Sequence, residues 1–446
     1  MNIKPIVTII GKPNSGKSTL FNRITGRHTA ITSSVAGTTR DRVIEETVWG
    51  DHAFIVVDTG GLELFEPEVV EIWSEVKSQI DQAITDSDVI LFLVDIATGA
   101  TTVDQEIADM LRSIGKPVVL VASKADNEDR VAYSSELYKL GLGDPVPISA
   151  YHNHGIDELM TSVIEHFNDI PQPPSLVVDL RLAIIGRTNV GKSLLINAIT
   201  GGPRSIVSNI AGTTRDSIDS VVSVNHREVQ IVDTAGIRRR GDIKQGIEKY
   251  SVVRSIKAIN RSQVTALTID ASELSTNQDA HIASYVFNSK RGLVIIVNKW
   301  DLAEKLHLTK QLAISNIREK FKFASHAPIC FTSALNKSGI KELFDTAFRV
   351  HSEWAKKIPR ADVNRTIMTA VSENPPPTNG RKILKIYSAL QDESSPPSFT
   401  FYVNHTDMIH FSYRRYLENR LRQEHGFEGS PLRMRFRGRT KKWARR

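Results

Sequence analysis

The chain has 446 residues and a formal net charge of +7, a length that predicts several domains. Its one cysteine, Cys330, excludes a disulfide framework and favours a reducing compartment. The N-terminal segment passes directly into a strand pattern, so no signal peptide is expected, and the longest apolar run, 89–94, is too short to span a membrane. We therefore expect a cytoplasmic protein with no membrane partner.

Each half of the chain begins with the pattern G-x-x-x-x-G-K-[ST], and the two copies are 175 residues apart. Each copy follows a short apolar run and leads into an apolar-periodic helix, which is the strand–loop–helix context of a phosphate-binding P-loop. The two loops consist of Gly11, Lys12, Pro13, Asn14, Ser15, Gly16, Lys17 and Ser18 in the first copy and of Gly186, Arg187, Thr188, Asn189, Val190, Gly191, Lys192 and Ser193 in the second. Backbone amides and the helix N-terminus then face the phosphates. Lys17 and Lys192 are expected to reach the β/γ-phosphates, and Ser18 and Ser193 to offer a hydroxyl to Mg²⁺.

A second pair of motifs recurs at the same spacing, and each copy follows a strand-like run. The copies read Asp58, Thr59, Gly60, Gly61 and Leu62, and Asp233, Thr234, Ala235, Gly236 and Ile237. An aspartate at the end of a buried strand beside a P-loop is placed to hold Mg²⁺ through water. Thr39 and Thr214, both within AGTTRD, can close on the same metal when a γ-phosphate is present. The alternative for these threonines is a polar loop with a side-chain turn.

The third motif predicts the base. It comprises Asn298, Lys299, Trp300 and Asp301 after the apolar run GLVIIV, and an aspartate there accepts from the N1–H and N2–H₂ edge of guanine. Adenine lacks that donor pair, which argues against a tandem ATPase. A Ser-Ala pair follows in each half, namely Ser149 and Ala150, and Ser333 and Ala334.

The first half departs from the base motif. It reads Ser123, Lys124, Ala125 and Asp126. A serine hydroxyl is shorter than an amide and is not expected to make its bridging contacts, so we expect the first half to prefer guanine through Asp126 but to bind it more weakly, by about 1–2 kcal/mol. The alternative is that water fills the gap and affinity is unchanged.

The C-terminal part carries the positive charge. A Pro-rich segment, 167–178, predicts a semi-rigid linker between the two halves. Residues 359–446 contain 17 Lys and Arg against 8 Asp and Glu, a net charge of +9, which leaves about −2 on residues 1–358. The last strand alternates apolar and basic residues and precedes a basic tail. We expect its arginines to form an exposed row that contacts RNA phosphates: Arg433, Arg435, Arg437 and Arg439. The alternative is a charged edge strand with a solvated tail.

Taken together, the tandem N-x-G-K-S loops, the TTRD segments and the basic C-terminal domain resemble the EngA/Der family, the double-Era-like GTPases of bacterial ribosome assembly. The resemblance also rests on NPPP at 374–377, LKIYSALQ at 384–391, PPSFTFYVN at 396–404, SYRRYLENRLR at 412–422 and FEGSPLRMRFR at 427–437. Lys12 and Ser15 differ from the Arg and Val more often found in the family.

The resemblance implies an α/β fold with two tandem P-loop G domains, each a mostly parallel sheet with helices on both faces, followed by an α+β KH-like domain. The expected boundaries are 1–166, a linker over 167–178, 179–357, and 358–446 with its basic tail. The implied activity is hydrolysis of GTP with Mg²⁺, and the implied partners are guanine nucleotides, ribosomal RNA and the large ribosomal subunit, with the protein acting as a monomer.

Hydrolysis in this family implies a further ion. Leu62 and Ile237 stand where many GTPases place a water-orienting glutamine, and neither can orient water. The resemblance implies that Asn14 and Asn189 help to hold a K⁺ ion. The alternative is that both asparagines only brace the P-loops. A second alternative is an RNA-binding switch in which the first G domain binds GTP without significant turnover.

Overall fold

The computed structural model describes residues 4–26, 44–59, 84, 87–169, 178–201, 208–209, 219–232, 251–376, 378–379 and 382–438. The chain divides into two compact units, Met1–Pro174 with Gln245–Lys257 and Ser175–Lys244 with Ala258–Arg446. Among the described segments no helix is both long and apolar enough to cross a membrane.

The first unit contains a six-stranded sheet in the order β2-β3-β1-β4-β5-β6. Only the β2–β3 pair is antiparallel; the other neighbours run parallel. The strands are β1 Ile6–Ile10, β2 Ile44–Trp49, β3 His52–Asp58, β4 Val89–Asp95, β5 Val118–Ser123 and β6 Val146–Pro147. The helices are α1 Lys17–Gly26, α2 Thr102–Ile114, α3 Glu128–Ala132 and α4 Ile156–Glu165, with 3₁₀ turns at Tyr133–Leu140 and His166–Asp169.

The second unit begins with a seven-stranded sheet in the order β13-β12-β11-β7-β10-β9-β8. Its strands are β7 Leu180–Ile185, β8 Ser208–Asn209, β9 Ser220–Val224, β10 Arg227–Val232, β11 Val264–Asp270, β12 Gly292–Asn298 and β13 Ile329–Phe331. Its helices are α5 Lys192–Thr200, α7 Asn277–Asn288, α8 Lys310–Lys320 and α9 Ile340–Trp354, with 3₁₀ turns at Trp300–Leu302 and Lys322–Ala324. Helix α6, Ser251–Arg261, begins in the segment assigned to the first unit and ends in the second.

Both sheets are buried on two faces, as alternation along their central strands shows. In β7, Leu182 and Ile184 pack in one core cluster, whereas Ala183 and Ile185 pack in another. The same separation divides Leu91 of β4 from its neighbours Ile90 and Phe92. Successive side chains of a strand point to opposite faces, so helices cover both sides of each sheet. This confirms the predicted α/β class.

The C-terminal part of the second unit forms a small α+β layer. Its helices are α10 Arg360–Glu373 and α11 Phe411–His425, and its strands are β14 Thr378–Asn379, β15 Lys382–Ile383, β16 Ile386–Ser394, β17 Pro397–Val403 and β18 Arg433–Gly438. β17 pairs antiparallel with β16 and parallel with β18, and residues of both helices share one core with Phe399 and Phe401. The predicted α+β class of this domain is confirmed. The predicted boundaries at 166, 178 and 357 stay predictions.

Candidate functional site

The two P-loops lie at the carboxyl edge of the sheets because each follows a central strand. β1 lies between β3 and β4, and β7 lies between β10 and β11. Gly11 and Gly186 pass directly over a neighbouring strand: a Cβ on Gly11 would lie 2.5 Å from the carbonyl oxygen of Leu93, and one on Gly186 would lie 2.3 Å from that of Thr268. Both have φ near +150°, so only glycine fits there.

In the first P-loop, the lysine side chain folds back and bonds backbone carbonyl groups of the loop. Lys17 Nζ donates to the carbonyl oxygens of Gly11 and Lys12, each at 2.9 Å. In the second loop Lys192 Nζ donates to the carbonyl of Arg187. The cationic group therefore lies across the mouth of each loop, where phosphates are expected.

The structure brings together two of the predicted magnesium ligands. Ser18 Oγ donates to Asp58 Oδ2 at 2.7 Å, which joins the start of α1 to the end of β3. A hydroxyl and a carboxylate are hard oxygen ligands, and Mg²⁺ prefers such ligands, so this pair fits the metal. Ser193 occupies the same position in α5. The other residues predicted for these sites lie outside the described residues: Thr39, Gly60, Gly61, Leu62, Thr214, Asp233, Thr234, Ala235, Gly236 and Ile237.

A brace that the sequence analysis did not identify supports each P-loop. Lys12 Nζ lies 2.8 Å from Thr98 Oγ1 and 3.3 Å from the fully buried Asp104 Oδ2. Asp104 also caps the start of α2 through Thr101, forming a capping box.

The second P-loop repeats the brace at the same spacing of 175 residues. Arg187 Nε lies 3.5 Å from Asp279 Oδ2, and Asp279 forms the capping box of α7 with Thr276. Burial raises the pKa of Asp279, while hydrogen bonds from Thr276 and the charge of Arg187 act against burial. The effect of burial is larger than that of these contacts, so the net pKa of Asp279 lies above its usual value, and the charge of Arg187 makes the increase smaller.

The second base motif is bonded on both sides. Asn298 Nδ2 donates to the carbonyl of Val190 in the P-loop at 2.8 Å. Its Oδ1 accepts from Thr332 Oγ1 at 3.1 Å and from the amide of Ala334 at 3.3 Å. Asp301 accepts from the hydroxyl of Ser333. The asparagine therefore holds the P-loop, the base motif and the Ser-Ala loop together.

The lysine of each base motif forms an ion pair with an aspartate at the end of a neighbouring strand. Lys299 Nζ lies 2.6 Å from Asp270 Oδ2 at the end of β11, and Lys124 Nζ lies 2.7 Å from Asp95 in the first domain. Burial acts to raise the pKa of Asp270, but hydrogen bonds from Lys299 and Ser272 outweigh it and the net pKa lies below the usual value.

The first base motif keeps one contact that the sequence analysis did not expect. Ser123 Oγ lies 2.7 Å from the carbonyl oxygen of Ser15 and 3.1 Å from that of Val94. The hydroxyl thus does reach the P-loop, and the expectation that it makes none of the amide's bridging contacts is wrong. Ser149 Oγ donates to Asp126 at 2.7 Å, as in the second domain.

Asp126 differs from Asp301 in one further respect. Arg130 Nη1 donates to Asp126 Oδ2 at 2.8 Å, so the carboxylate expected to read guanine is already ion-paired. The equivalent position of the second domain is Lys305, and within the part of the chain that the structure describes no ion pair joins it to Asp301.

These sites match known proteins along nearly the whole chain. A family model for 50S ribosome-binding GTPases matches residues 6–124 and again 181–299, and a model for the C-terminal KH-domain-like part of EngA bacterial GTPases matches 357–437. The GTPase Der of Chloroflexus aggregans is 44% identical over 445 residues, covering 98% of this chain and 99% of that protein. The GTPase Der of Herpetosiphon aurantiacus is 44% identical over 441 residues, covering 98% and 97%.

The chain belongs to the GTPase Der family. It therefore binds guanine nucleotides and hydrolyses GTP, with Mg²⁺ as the metal that such GTPases use. The predicted resemblance and fold are confirmed.

The C-terminal domain of this Der-family chain is docked on the second G domain through its backbone. The amide of Gly429 donates to the carbonyl of His326, and the amide of Leu293 donates to the carbonyl of Gly429, both at 2.8 Å. The amide of Phe427 donates to Glu353 Oε2 at 2.6 Å. The KH-like domain and the second G domain therefore form one unit.

The arginines predicted to contact RNA are placed unequally. Arg435 donates to Asp392 at 3.2 Å and to Glu393 at 3.1 Å, because β18 lies beside β17 and near the end of β16. Arg433 is half-buried and Arg437 is exposed, whereas Arg439 lies outside the described residues. Arg435 is therefore only partly exposed and its charge is partly neutralised, while contact of these arginines with RNA stays a prediction.

Proposed function

We propose that this chain is a GTP-hydrolysing assembly factor for the large ribosomal subunit, and that its nucleotide state controls docking on ribosomal RNA. The observation that carries the proposal is the backbone docking of the basic C-terminal domain on the second G domain through Gly429. Because the two form one unit, a rearrangement of the second nucleotide site has a structural route to the basic domain. The description of the matching family model as a 50S ribosome-binding GTPase supports the choice of particle. Action as a cytoplasmic monomer is part of the proposal.

Each nucleotide site has a separate group for each part of GTP. Lys17 and Lys192 neutralise the β/γ-phosphates, and Asp126 and Asp301 accept from guanine. Ser18 and Asp58, with Thr39, would hold Mg²⁺ in the first site, and Ser193, Thr214 and Asp233 would do so in the second. When bound, the metal neutralises charge that develops on the phosphates.

Potassium is proposed as a second ion near each P-loop. Asn14 and Asn189 are both exposed and adopt positive φ values of 64° and 61°, a left-handed conformation that asparagine tolerates better than most residues. Their amide oxygens could then contribute to a K⁺ site, and the added positive charge would replace the arginine that other GTPases insert. The alternative is that the asparagines only stabilise this left-handed conformation.

Sedimentation with large subunits in the presence of a non-hydrolysable GTP analogue tests the RNA-binding part. Changing Arg437 and Arg439 to Gln should weaken binding and reduce its salt dependence, since each phosphate contact contributes to the salt slope. Arg435→Gln is the matched control, because Asp392 and Glu393 already neutralise that side chain, and it should have a smaller effect. Undiminished sedimentation of the Arg437/Arg439 variant across salt concentrations would contradict the proposed RNA contact.

A second function is favoured by the first domain's base motif. Ser123 replaces asparagine there and Arg130 pairs with Asp126, so this domain is suited to weaker binding and a regulatory role. In that case the first G domain binds GTP without significant turnover. Single-turnover hydrolysis by a Lys192→Ala variant distinguishes the two, because the remaining activity then belongs to the first site.

A further inference from the structure

The two base motifs are anchored by different residues at a structurally equivalent position. In the first domain the amide of Ala125 donates to the carbonyl of Ile148 at 2.9 Å, and in the second the amide of Trp300 donates to that of Thr332 at 3.0 Å. The amides of Ile148 and Thr332 likewise donate to the carbonyls of Ala122 and Val297, at 2.8 and 2.9 Å. The matched backbone bonds make Ile148 and Thr332 counterparts, although one is apolar and the other carries a hydroxyl.

The difference at this position accompanies the difference at the base motif. Thr332 donates its hydroxyl proton to Asn298 Oδ1, and both side chains are buried. Ser123 has no amide oxygen to accept such a bond, and its counterpart partner, Ile148, is buried and has no hydroxyl to donate. The hydrogen-bonded pair of Asn298 and Thr332 in the second domain thus corresponds to Ser123 and Ile148 in the first. Because Ile148 has no hydroxyl, the loss of the amide oxygen leaves no buried hydroxyl group unpaired at that position.

An asparagine would fit into the first site. A Cβ added to Gly191 would lie only 2.5 Å from Asn298 Nδ2, because the amide packs against the P-loop there. A Cβ added to the equivalent Gly16 would meet no atom within 4 Å. The space that the amide fills in the second domain is therefore open in the first. The carbonyl that would receive its proton, that of Ser15, is already bonded by Ser123.

We propose that Ile148 and Ser123 act together as positioning residues that speed guanine-nucleotide release from the first G domain. In the second domain, the Thr332–Asn298 bond ties the loop carrying Ser333 to the base motif, so that Asp301 is held by Ser333 in one position. In the first domain Ser149 still bonds Asp126, but among the residues that the structure describes no side chain of its loop bonds Ser123. The base-reading carboxylate is therefore less constrained, and the nucleotide leaves faster.

The inference rests on guanine binding and deepens the proposed division between the two G domains. Its test is the release rate of a fluorescent GDP analogue from the full chain. Release from the first site is measured in an Asp301→Asn background, because that change removes the guanine preference of the second site. Release from the second site is measured in an Asp126→Asn background for the same reason. No ribosomal particle is present, so the result is independent of the sedimentation experiment that tests the assembly role.

In the first site, Ser123→Asn and Ile148→Thr should each change the release rate by less than about twofold, whereas the double variant should slow it about fivefold, as expected for one recovered buried hydrogen bond. Ser123→Asn with Ile148→Val is the matched control, since valine has the branched shape of threonine without its hydroxyl. That control should behave like Ser123→Asn alone.

In the second site, Thr332→Ile should speed release about fivefold, and Asn298→Ser by at least as much because it also removes the bond from the amide of Ala334. The double variant should be no faster than Asn298→Ser alone, because that change already removes the bond to Thr332. Thermal unfolding of each variant separates local effects on release from loss of the fold. Additive effects in both sites, or equal slowing by the Ile148→Val and Ile148→Thr combinations, would overturn the proposal.

Discussion

Lys12 of the first P-loop lies 3.3 Å from the buried carboxylate of Asp104, and Arg187 of the second lies 3.5 Å from that of Asp279. Each aspartate also caps the helix that follows the neighbouring strand. The brace thus joins the phosphate-binding loop to a helix start, and it is present in both domains with different basic residues.

Asp279→Asn should weaken GDP binding to the second site about fivefold to tenfold, corresponding to about 1 kcal/mol, because the amide can still cap α7 but no longer attracts Arg187 as a charge. Burial raises the pKa of Asp279, so the neutral amide should leave the unfolding temperature nearly unchanged. Nucleotide titration and thermal unfolding of the same variant measure both. Unchanged affinity would show that the brace does not position the loop.

Asp301→Asn should shift the preference of the second site from guanine toward xanthine nucleotides. The amide no longer matches the N1–H and N2–H₂ donor pair of guanine, whereas xanthine presents an oxygen at C2. The loss for guanine should be a few kcal/mol. Competition titrations with GDP and XDP on the full chain measure the change, with Asp126→Asn as the matched variant of the first site. GDP selectivity that survives at the altered site would contradict the assignment.

GTP turnover should rise at least about tenfold when K⁺ replaces Na⁺, since an added cation can stabilise charge on the transferring phosphate. Asn189→Ala should remove most of the difference in the second site, and Asn14→Ala should do the same in the first. Steady-state phosphate release in the two salts at equal ionic strength measures this. Equal rates in both salts would leave the asparagines as braces of the P-loop.

Gly429→Ala should lower the free energy of unfolding of the second unit by about 1–3 kcal/mol. Gly429 has φ +65°, and an added Cβ would lie 2.5 Å from Val350 Cγ2 and 2.9 Å from the carbonyl oxygen of Leu293. The backbone oxygen cannot move aside without breaking the docking bonds. Gly438→Ala is the control, because a Cβ there meets no atom within 4 Å. Chemical denaturation of both variants decides whether the close approach is required.

The second unit should lose stability as pH falls below about 6.5. Burial, together with the charges of Arg422, Arg318 and Lys290, lowers the pKa of His326 well below its ordinary value. The folded state then binds fewer protons than the unfolded state, so the stabilisation is complete above the unfolded pKa and is lost below it, by up to about 1.4 kcal/mol per pH unit.

His326→Gln should flatten that part of the pH dependence, whereas the exposed His152→Gln should not. Denaturation midpoints measured between pH 5 and pH 8 compare the variants. An unchanged slope in His326→Gln would show that other groups, among them His351 and His425, whose pKa values burial also lowers, account for the effect.

Much of the fold and the outline of both sites follow from the sequence because local signals repeat. Apolar runs define the strands, and the repetition of G-x-x-x-x-G-K-S at one spacing identifies the P-loops without any knowledge of sheet order. Asp126 and Asp301 follow in the same way from motif position. The residues that support these motifs do not carry such signals.

The contact between Lys12 and Asp104 illustrates why the supporting residues could not be predicted. Asp104 is 92 residues from Lys12, and only the adjacency of β1 and β4 in the sheet brings the start of α2 beside the P-loop. Period-two alternation correctly separates Met434 from Arg435, but it says nothing of which strand lies alongside, and so the pairing of Arg435 with Asp392 was not predictable. A comparison of the two halves of the chain could have revealed Ile148 opposite Thr332, since both precede the Ser-Ala pair.

Strand β12, which is buried along its whole length, connects the guanine-binding motif to the C-terminal domain. Its second residue, Leu293, bonds Gly429 of the C-terminal domain, and its last residue, Asn298, begins the base motif. Five residue rises of extended chain between Leu293 and Asn298 thus set a separation of roughly 17 Å between the guanine loop and the attachment point of the basic domain. Inserting or deleting one residue would change that distance by about 3.3 Å and reverse which side chains face each core. The length of β12 therefore fixes the distance between the two sites, and a change in that length would displace either the base motif or the contact with Gly429.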